Sequence, residues 1–164
     1  TVRCATADGA ELRALVDGRY TLEELRTLHM AIIQPEYPGI LELVNALHAA
    51  GCATACLSNT CASHWAALVD PARYPAIARL GARHASHLFG LMKPDPHIYR
   101  RFEQAMGAQP AEILFFDDGP ANVAAARQRG WRAEQITDPD DSLPELCRAL
   151  VHYGILPAAE ANRR

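Results

Sequence analysis

The chain has almost no lysine: of its 16 cationic residues, 15 are arginine and one is Lys93. It also lacks a strong charge of either sign. The 16 cationic and 19 acidic residues leave a net charge of −3, too small for a nucleic-acid-binding face or a disordered acidic tail. No apolar stretch approaches the roughly 18 residues needed to span a membrane, and the N-terminus carries no signal-peptide pattern. No Cys-x-x-Cys pair occurs. The five cysteines (Cys4, Cys52, Cys56, Cys61, Cys147) lie mostly in apolar runs, which fits a reducing compartment better than a disulfide framework. Cys52 and Cys56 bracket an expected buried strand, so with Cys61 and His64 nearby they read as structural rather than as a zinc site. These shortages imply a cytoplasmic domain with no membrane or nucleic-acid partner, long enough at 164 residues for one α/β unit.

What the chain does have is an alternation of apolar strands and amphipathic helices. Ala10 to Val16 is an expected helix, and Thr21-Leu22-Glu23-Glu24 is a capping-box signature opening another, with Leu22, Leu25, Leu28 and Ile32 on one face. An amphipathic segment from Gly39 to Ala50 precedes a strand over Ala53 to Leu57. Ser63 to Val69 reads as a short helix, residues 70–85 as a loop-rich excursion, and His87 to Leu91 as a strand with His84 and His87 as solvent or cap residues. Asp95-Pro96 caps a helix to Met106 that stops at Gly107. Further strands are expected over Ile113 to Phe116 and Arg132 to Ile136. Helices follow them over Ala121 to Arg129 and about Pro144 to Tyr153, with a loose tail from Pro157. Strands alternating with helices predict an α/β fold with a doubly wound, Rossmann-like parallel sheet.

Three of the expected connections after strands carry polar chemistry: Ser58-Asn59-Thr60, Lys93, and the adjacent acids Asp117-Asp118. Parallel strands present their carboxyl ends on one edge, so these groups can converge on one crevice. Two neighbouring carboxylates repel, and keeping both ionised calls for a cation such as Mg²⁺ or several donors. Arginine is a planar fork and lysine a compact point charge, so a single lysine in an arginine-rich chain points to a chemical requirement at Lys93. A hydroxyl with adjacent backbone N–H groups, one lysine and a metal-binding acid pair suits a phosphoryl group. Gly119-Pro120 opens the next helix, whose positive end favours an anion.

Leu57-Ser58-Asn59-Thr60, then Lys93-Pro94-Asp95-Pro96 with Ile98-Tyr99, then Phe115-Phe116-Asp117-Asp118 through Asn122-Val123 and Ala125-Ala126 to Gly130 resemble motifs II, III and IV of the haloacid dehalogenase-like (HAD) hydrolases. The resemblance covers roughly residues 37–137. It is nearest to the branch of sugar-1-phosphate phosphatases and the N-terminal phosphatase domain of epoxide hydrolases. It implies a Mg²⁺-dependent phosphatase-type hydrolase of small phosphorylated metabolites, working through an aspartyl-phosphate. It further implies that Ser58, Asn59 and Lys93 hold the phosphate and that Asp117 and Asp118 bind Mg²⁺, with Asp118 aligning better as direct ligand and Asn122 as an outer group.

The family's opening strand, ending in Asp-x-Asp with the nucleophile first, has no clear counterpart. Thr6-Ala7-Asp8-Gly9 is the nearest candidate, behind only five residues. The expectation is that residues 1–34 are the remnant of a helical cap, residues 35–164 the α/β core, and the first strand, with its nucleophile, lies upstream. A catalytically inert HAD-like binding or scaffold protein is the alternative. A phosphoacceptor receiver domain also uses an acid pair, a hydroxyl and a lysine, but with the acids first in the chain. A dehalogenase would have no use for a metal-binding acid pair.

Overall fold

The computed structural model describes Asp17, residues 19–138 and residues 140–159. Helix α1 (Leu22–Met30) and helix α2 (Ile40–Ala49) lead into strand β1 (Ala55–Ser58), followed by helices α3 (Ala62–Leu68) and α4 (Pro75–Arg79). Strand β2 (Ala82–Ala85), helix α5 (Ser86–Phe89) and helix α6 (Pro96–Met106) come next. A 3₁₀ turn (Pro110–Glu112), strand β3 (Leu114–Asp117), helix α7 (Pro120–Gln128), strand β4 (Arg132–Gln135) and helix α8 (Leu143–His152) complete the order. Among the described residues no helix is long and apolar enough to cross a membrane.

Local chemistry sets most of these boundaries. The Thr21–Glu24 capping box forms: Thr21 Oγ1 accepts from the Glu24 amide at 3.2 Å, and Glu24 Oε2 accepts from the Thr21 amide at 2.7 Å. Asp95 caps α6 by accepting from the His97 amide at 2.8 Å, and Gly107 ends it at φ 63°, a left-handed conformation that glycine adopts without steric cost. Gly39, at φ 82° before α2, is needed twice over, because a Cβ there would lie 2.8 Å from Leu143 Cδ2. Glu36 closes α4 from a distance, its two oxygens accepting from the Ala76 and Ile77 amides at 3.0 and 2.9 Å.

Among the described residues the strands form two parallel ladders, β1 with β2 and β3 with β4. Side chains of a strand point alternately to its two faces, and β3 shows both covered. Phe115 packs with Leu57, Ile98, Tyr99, Phe102, Val123, Ala126 and Trp131, from the β1, α6 and α7 side. Leu114 and Phe116 pack with Leu43, Leu143, Cys147 and Leu150, from α2 and α8. Helices on both faces of parallel strands are the doubly wound α/β arrangement expected from the sequence. The first core joins the two ladders. Its rings meet edge to face, with Tyr99 5.2 Å and Phe115 5.5 Å from Trp131, in the range favoured by aromatic quadrupoles.

One expected strand moves. The apolar run His87 to Leu91 is not a strand: β2 is the less apolar Ala82–Ala85, and residues 86–89 form the single turn α5. Pairing decided this. Gly81 passes so close to Thr54 that a Cβ would sit 3.2 Å from its carbonyl, and the Ala82 amide donates to that carbonyl at 3.1 Å. This starts β2 five residues earlier than the hydrophobic pattern suggests, and leaves Leu88 62% exposed. The same shift places His84 inside β2, between the rings of Phe89 and Phe102, with Nε2 buried and without a hydrogen-bond partner. The reading of residues 70–85 as loop is corrected as well, since they contain α4 and β2. The expected helix Ala10 to Val16 and the Thr6–Gly9 candidate lie outside the described residues.

Two tests of stability follow from buried polar groups. Glu103 on α6 is buried and accepts from Arg129 Nε at 2.9 Å, Arg129 Nη2 at 2.7 Å and the Trp131 indole N–H at 2.8 Å. This ties α6 to the turn between α7 and β4. Glu103→Leu strands the buried indole donor and is expected to lower the unfolding free energy by about 2 kcal/mol in urea titration; an unchanged midpoint contradicts this. Burial holds the His84 pKa below its ordinary value. The unfolded chain then takes up the proton first, so the stability from neutral His84 is present above about pH 6.5 and lost as pH falls. His84→Phe is expected to flatten the fall in thermal midpoint between about pH 7 and 5.

Candidate active site

The sequence places Asp117 at the end of β3, two residues from Phe115 and therefore on the same face. The structure brings Lys93 to that face. Lys93 Nζ lies 2.6 Å from Asp117 Oδ2 with both side chains under 10% exposed, and 5.4 Å from the centre of the Phe115 ring. The other oxygen of Asp117 accepts from the Gly119 amide at 2.9 Å and from Asn122 Nδ2 at 2.8 Å. Three donors thus hold one carboxylate. Buried charges persist when paired and hydrogen-bonded in this way. Gly119 is needed here for space, because a Cβ would lie 2.7 Å from Asn122 Nδ2 and 3.0 Å from Asp117 Oδ1.

The loop carrying Lys93 is fastened to the end of β1. Asn59 Nδ2 donates to the Lys93 carbonyl at 2.8 Å, and the Lys93 amide donates to Asn59 Oδ1 at 2.8 Å. The Lys93–Pro94 peptide is cis. Both polar ends of the Asn59 side chain serve the backbone of Lys93, so it acts as a brace. Ser86, at the end of β2, fixes the neighbouring residue: its Oγ accepts from the Thr60 amide at 2.9 Å and donates to the Thr60 carbonyl at 3.0 Å.

The expected site residues therefore fall into two sets. Asn59, Lys93 and Asp117 form one continuous bonded chain across the ends of β1 and β3. Ser58 ends β1 beside Ala85 in the ladder register, half-buried. Asp118 is exposed, with its carbonyl accepting from Gln135 Nε2 at 3.2 Å. The two adjacent acids thus occupy different environments, one enclosed by donors and one open to solvent. The sequence reading took the amides after Ser58 as ligand donors, but the Thr60 amide is already bonded to Ser86. Nothing in the sequence marks Ser86, and the Ile98-Tyr99 pair carries no role for Tyr99 by itself. Tyr99 donates to the Asn122 carbonyl at 2.9 Å, and burial, with Asp117 adding to it, pushes its pKa up to about 12. It stays a neutral donor behind Asn122. An i, i+3 look back from Phe102 along α6 would have marked Tyr99 as core, but nothing in the sequence shows what its hydroxyl meets.

Removing Lys93 while keeping its bulk isolates the pair. Lys93→Met leaves Asp117 buried without its cation and is expected to cost about 3 kcal/mol. In the Asp117→Asn background the same change is expected to cost much less. Additive losses in this cycle would show that the contact carries no coupling.

Known proteins share the family and the fold of this chain. The model of the haloacid dehalogenase-like hydrolases matches residues 6–130. Enolase-phosphatase E1 of Persephonella marina is 38% identical over 50 residues, 30% of this chain and 22% of that protein. Bifunctional epoxide hydrolase 2 of Sus scrofa is 35% identical over 57 residues, 35% of this chain and 10% of that protein. The chain thus spans under a quarter of the length of these two curated relatives. A HAD family enzyme from Bacteroides thetaiotaomicron, solved in complex with magnesium and inorganic phosphate, superposes with a TM-score of 0.70 at 19% identity, covering 82% of this chain and 73% of that one. At that identity the likeness speaks for the fold alone. With the family model matched over well more than half of its length, the chain belongs to the haloacid dehalogenase-like hydrolases.

Proposed function

We propose that this chain carries the phosphoryl-binding and metal-binding side of a Mg²⁺-dependent phosphomonoesterase acting on small phosphorylated metabolites. The observation that carries the reading is the buried Lys93–Asp117 pair: the end of β1 braces the Lys93 backbone through Asn59, and the end of β3 holds its ammonium through Asp117. An ammonium has three donors. One is spent on Asp117, which leaves the rest to meet non-bridging phosphoryl oxygens. Ser58 supplies a hydroxyl donor from the end of β1, and Asn59 orients the lysine. Donors held in place before the charge develops are the electrostatic form of catalysis.

The donor set fits Mg²⁺. This ion is held by one or two carboxylates together with substrate phosphate and water. Asp118, exposed beside the pair, is the direct carboxylate in this reading, and Asp117, already enclosed by Lys93, Gly119 and Asn122, supports it. When bound, the ion neutralises charge on the phosphoryl oxygens. The chemistry is attack of an aspartate carboxylate on phosphorus, which breaks the P–O bond to the leaving alcohol and leaves an aspartyl-phosphate that water hydrolyses. The nucleophile is assigned to a strand preceding this domain, with residues 1–34 belonging to a helical cap and residues 35–164 to the core. Phosphatase relatives and the fold shared with an enzyme that binds magnesium and phosphate support this reading.

The test is turnover of a phosphomonoester panel, with and without Mg²⁺, by a chain extended to include an Asp-x-Asp strand. Mg²⁺-dependent turnover is expected. Asp118→Asn is expected to lower it by about 100-fold or more, a loss of about 3 kcal/mol of transition-state stabilisation. Lys93→Arg is expected to fail as a replacement, because a fork does not fit where a point charge is enclosed. Phosphate binding without turnover would instead favour an inert binding protein, and absence of both overturns the proposal.

A further inference from the structure

A second cluster of ligating side chains lies where α1 meets the start of α3. His29 is in the last turn of α1, Cys61 is the N-cap of α3, and His64 is in its first turn. One ligating atom from each lies within 4.8 Å of the other two. Cys52 and Cys56, which the sequence grouped with Cys61 and His64, are not part of it; His29, 32 residues before Cys61, takes their place.

The His29–Cys61 pair has the spacing of a metal site, while the His29 and His64 rings stack with centroids 4.0 Å apart and 22° between planes, so one imidazole must turn for both to reach the same ion. His29 Nε2 is 3.6 Å from Cys61 Sγ. Tetrahedral zinc, with Zn–N near 2.05 Å and Zn–S near 2.3 Å, sets its nitrogen and sulfur ligands about 3.6 Å apart. His64 Nε2 lies 2.9 Å from the His29 carbonyl. A carbonyl only accepts, so Nε2 carries the proton and the neutral ring keeps its lone pair on Nδ1. A histidine whose other nitrogen donates to a backbone carbonyl is how proteins fix the tautomer and ring orientation of a metal ligand. Ser63 Oγ stands 3.1 Å from His29 Nε2 and 3.2 Å from Cys61 Sγ, so a polar group already sits between the two donors. The site also has structural work to do: Leu25 is buried, but Leu28 and Ile32 further along the α1 stripe are 57% and 68% exposed, so apolar packing secures little of this end of the helix.

We propose that His29, Cys61 and His64 bind a borderline-soft divalent cation of the Zn²⁺ type, with water or Ser63 as fourth ligand, clipping α1 to α3. Thiolate and imidazole select such a cation over Mg²⁺, which prefers oxygen, so this site and Asp118 draw on different ions. Binding releases the Cys61 thiol proton to solvent.

Cobalt(II) is the probe, titrated into the reduced chain in excess Mg²⁺. The expected result is saturation at one equivalent, with tetrahedral d–d absorption and a near-ultraviolet thiolate-to-cobalt band. Cys61→Ser is expected to abolish that band, and Cys52→Ser to leave it intact. His29→Gln, which removes one imidazole, is expected to weaken binding by more than about tenfold. X-ray absorption of the zinc-loaded wild-type chain, which needs no variant to fold, is expected to show one sulfur and two imidazole ligands. Absence of a thiolate band, its survival in Cys61→Ser, or a zinc shell without sulfur overturns the proposal.

Discussion

The contact between Lys93 Nζ and Asp117 Oδ2 constrains more of this molecule than any other. A buried carboxylate and a buried ammonium are each costly alone and tolerable only together, so wherever β3 places Asp117 the loop before α6 must deliver Lys93. That loop, residues 90–95, has no regular structure, and two hydrogen bonds to Asn59 hold its backbone against the end of β1. The two ladders share no backbone pairing among the described residues. They are joined instead by a common aromatic core below the site and, at its rim, by this bonded chain from Asn59 through Lys93 to Asp117.

The surroundings of the pair explain why adjacent acids can have separate tasks. Asp117 points to the face of Phe115, where Gly119, Asn122 and Lys93 meet it, and Tyr99 stands behind Asn122. Asp118, one residue on, is exposed. Alternation along a strand end is therefore enough to turn a repulsive carboxylate pair into one enclosed carboxylate and one open to solvent. Gly119 is small because Asp117 lies against it.

Much of this was legible in the sequence because it depends on local pattern. Capping boxes, proline starts and glycine stops marked α1, α6 and α7, and the apolar run before Asp117 marked β3. The alternation of elements gave the fold class, and the solitary lysine singled out Lys93. What stayed hidden depends on pairing across long separations. The strand at Ala82–Ala85 is made by its ladder with β1 and by the close pass of Gly81 over Thr54, while the more apolar residues 87–91 lost that competition. The grouping of His29 with Cys61 and His64 needs a helix folded back over 32 residues, which spacing alone does not reveal. The family resemblance gives Asn59 as a phosphate ligand, and only the fold shows that its amide is spent on the Lys93 backbone.

In the proposed function, the bonded chain from Asn59 to Asp117 orients an ammonium toward phosphate. Asn59→Ala unties Lys93 without changing the charge of the chain, so calorimetric binding of inorganic phosphate in the presence of Mg²⁺ by the wild type and this variant tests it directly. A drop in affinity of about tenfold, the equivalent of about 1.4 kcal/mol, is predicted from loss of orientation alone. Equal affinities, with the fold intact, would contradict it.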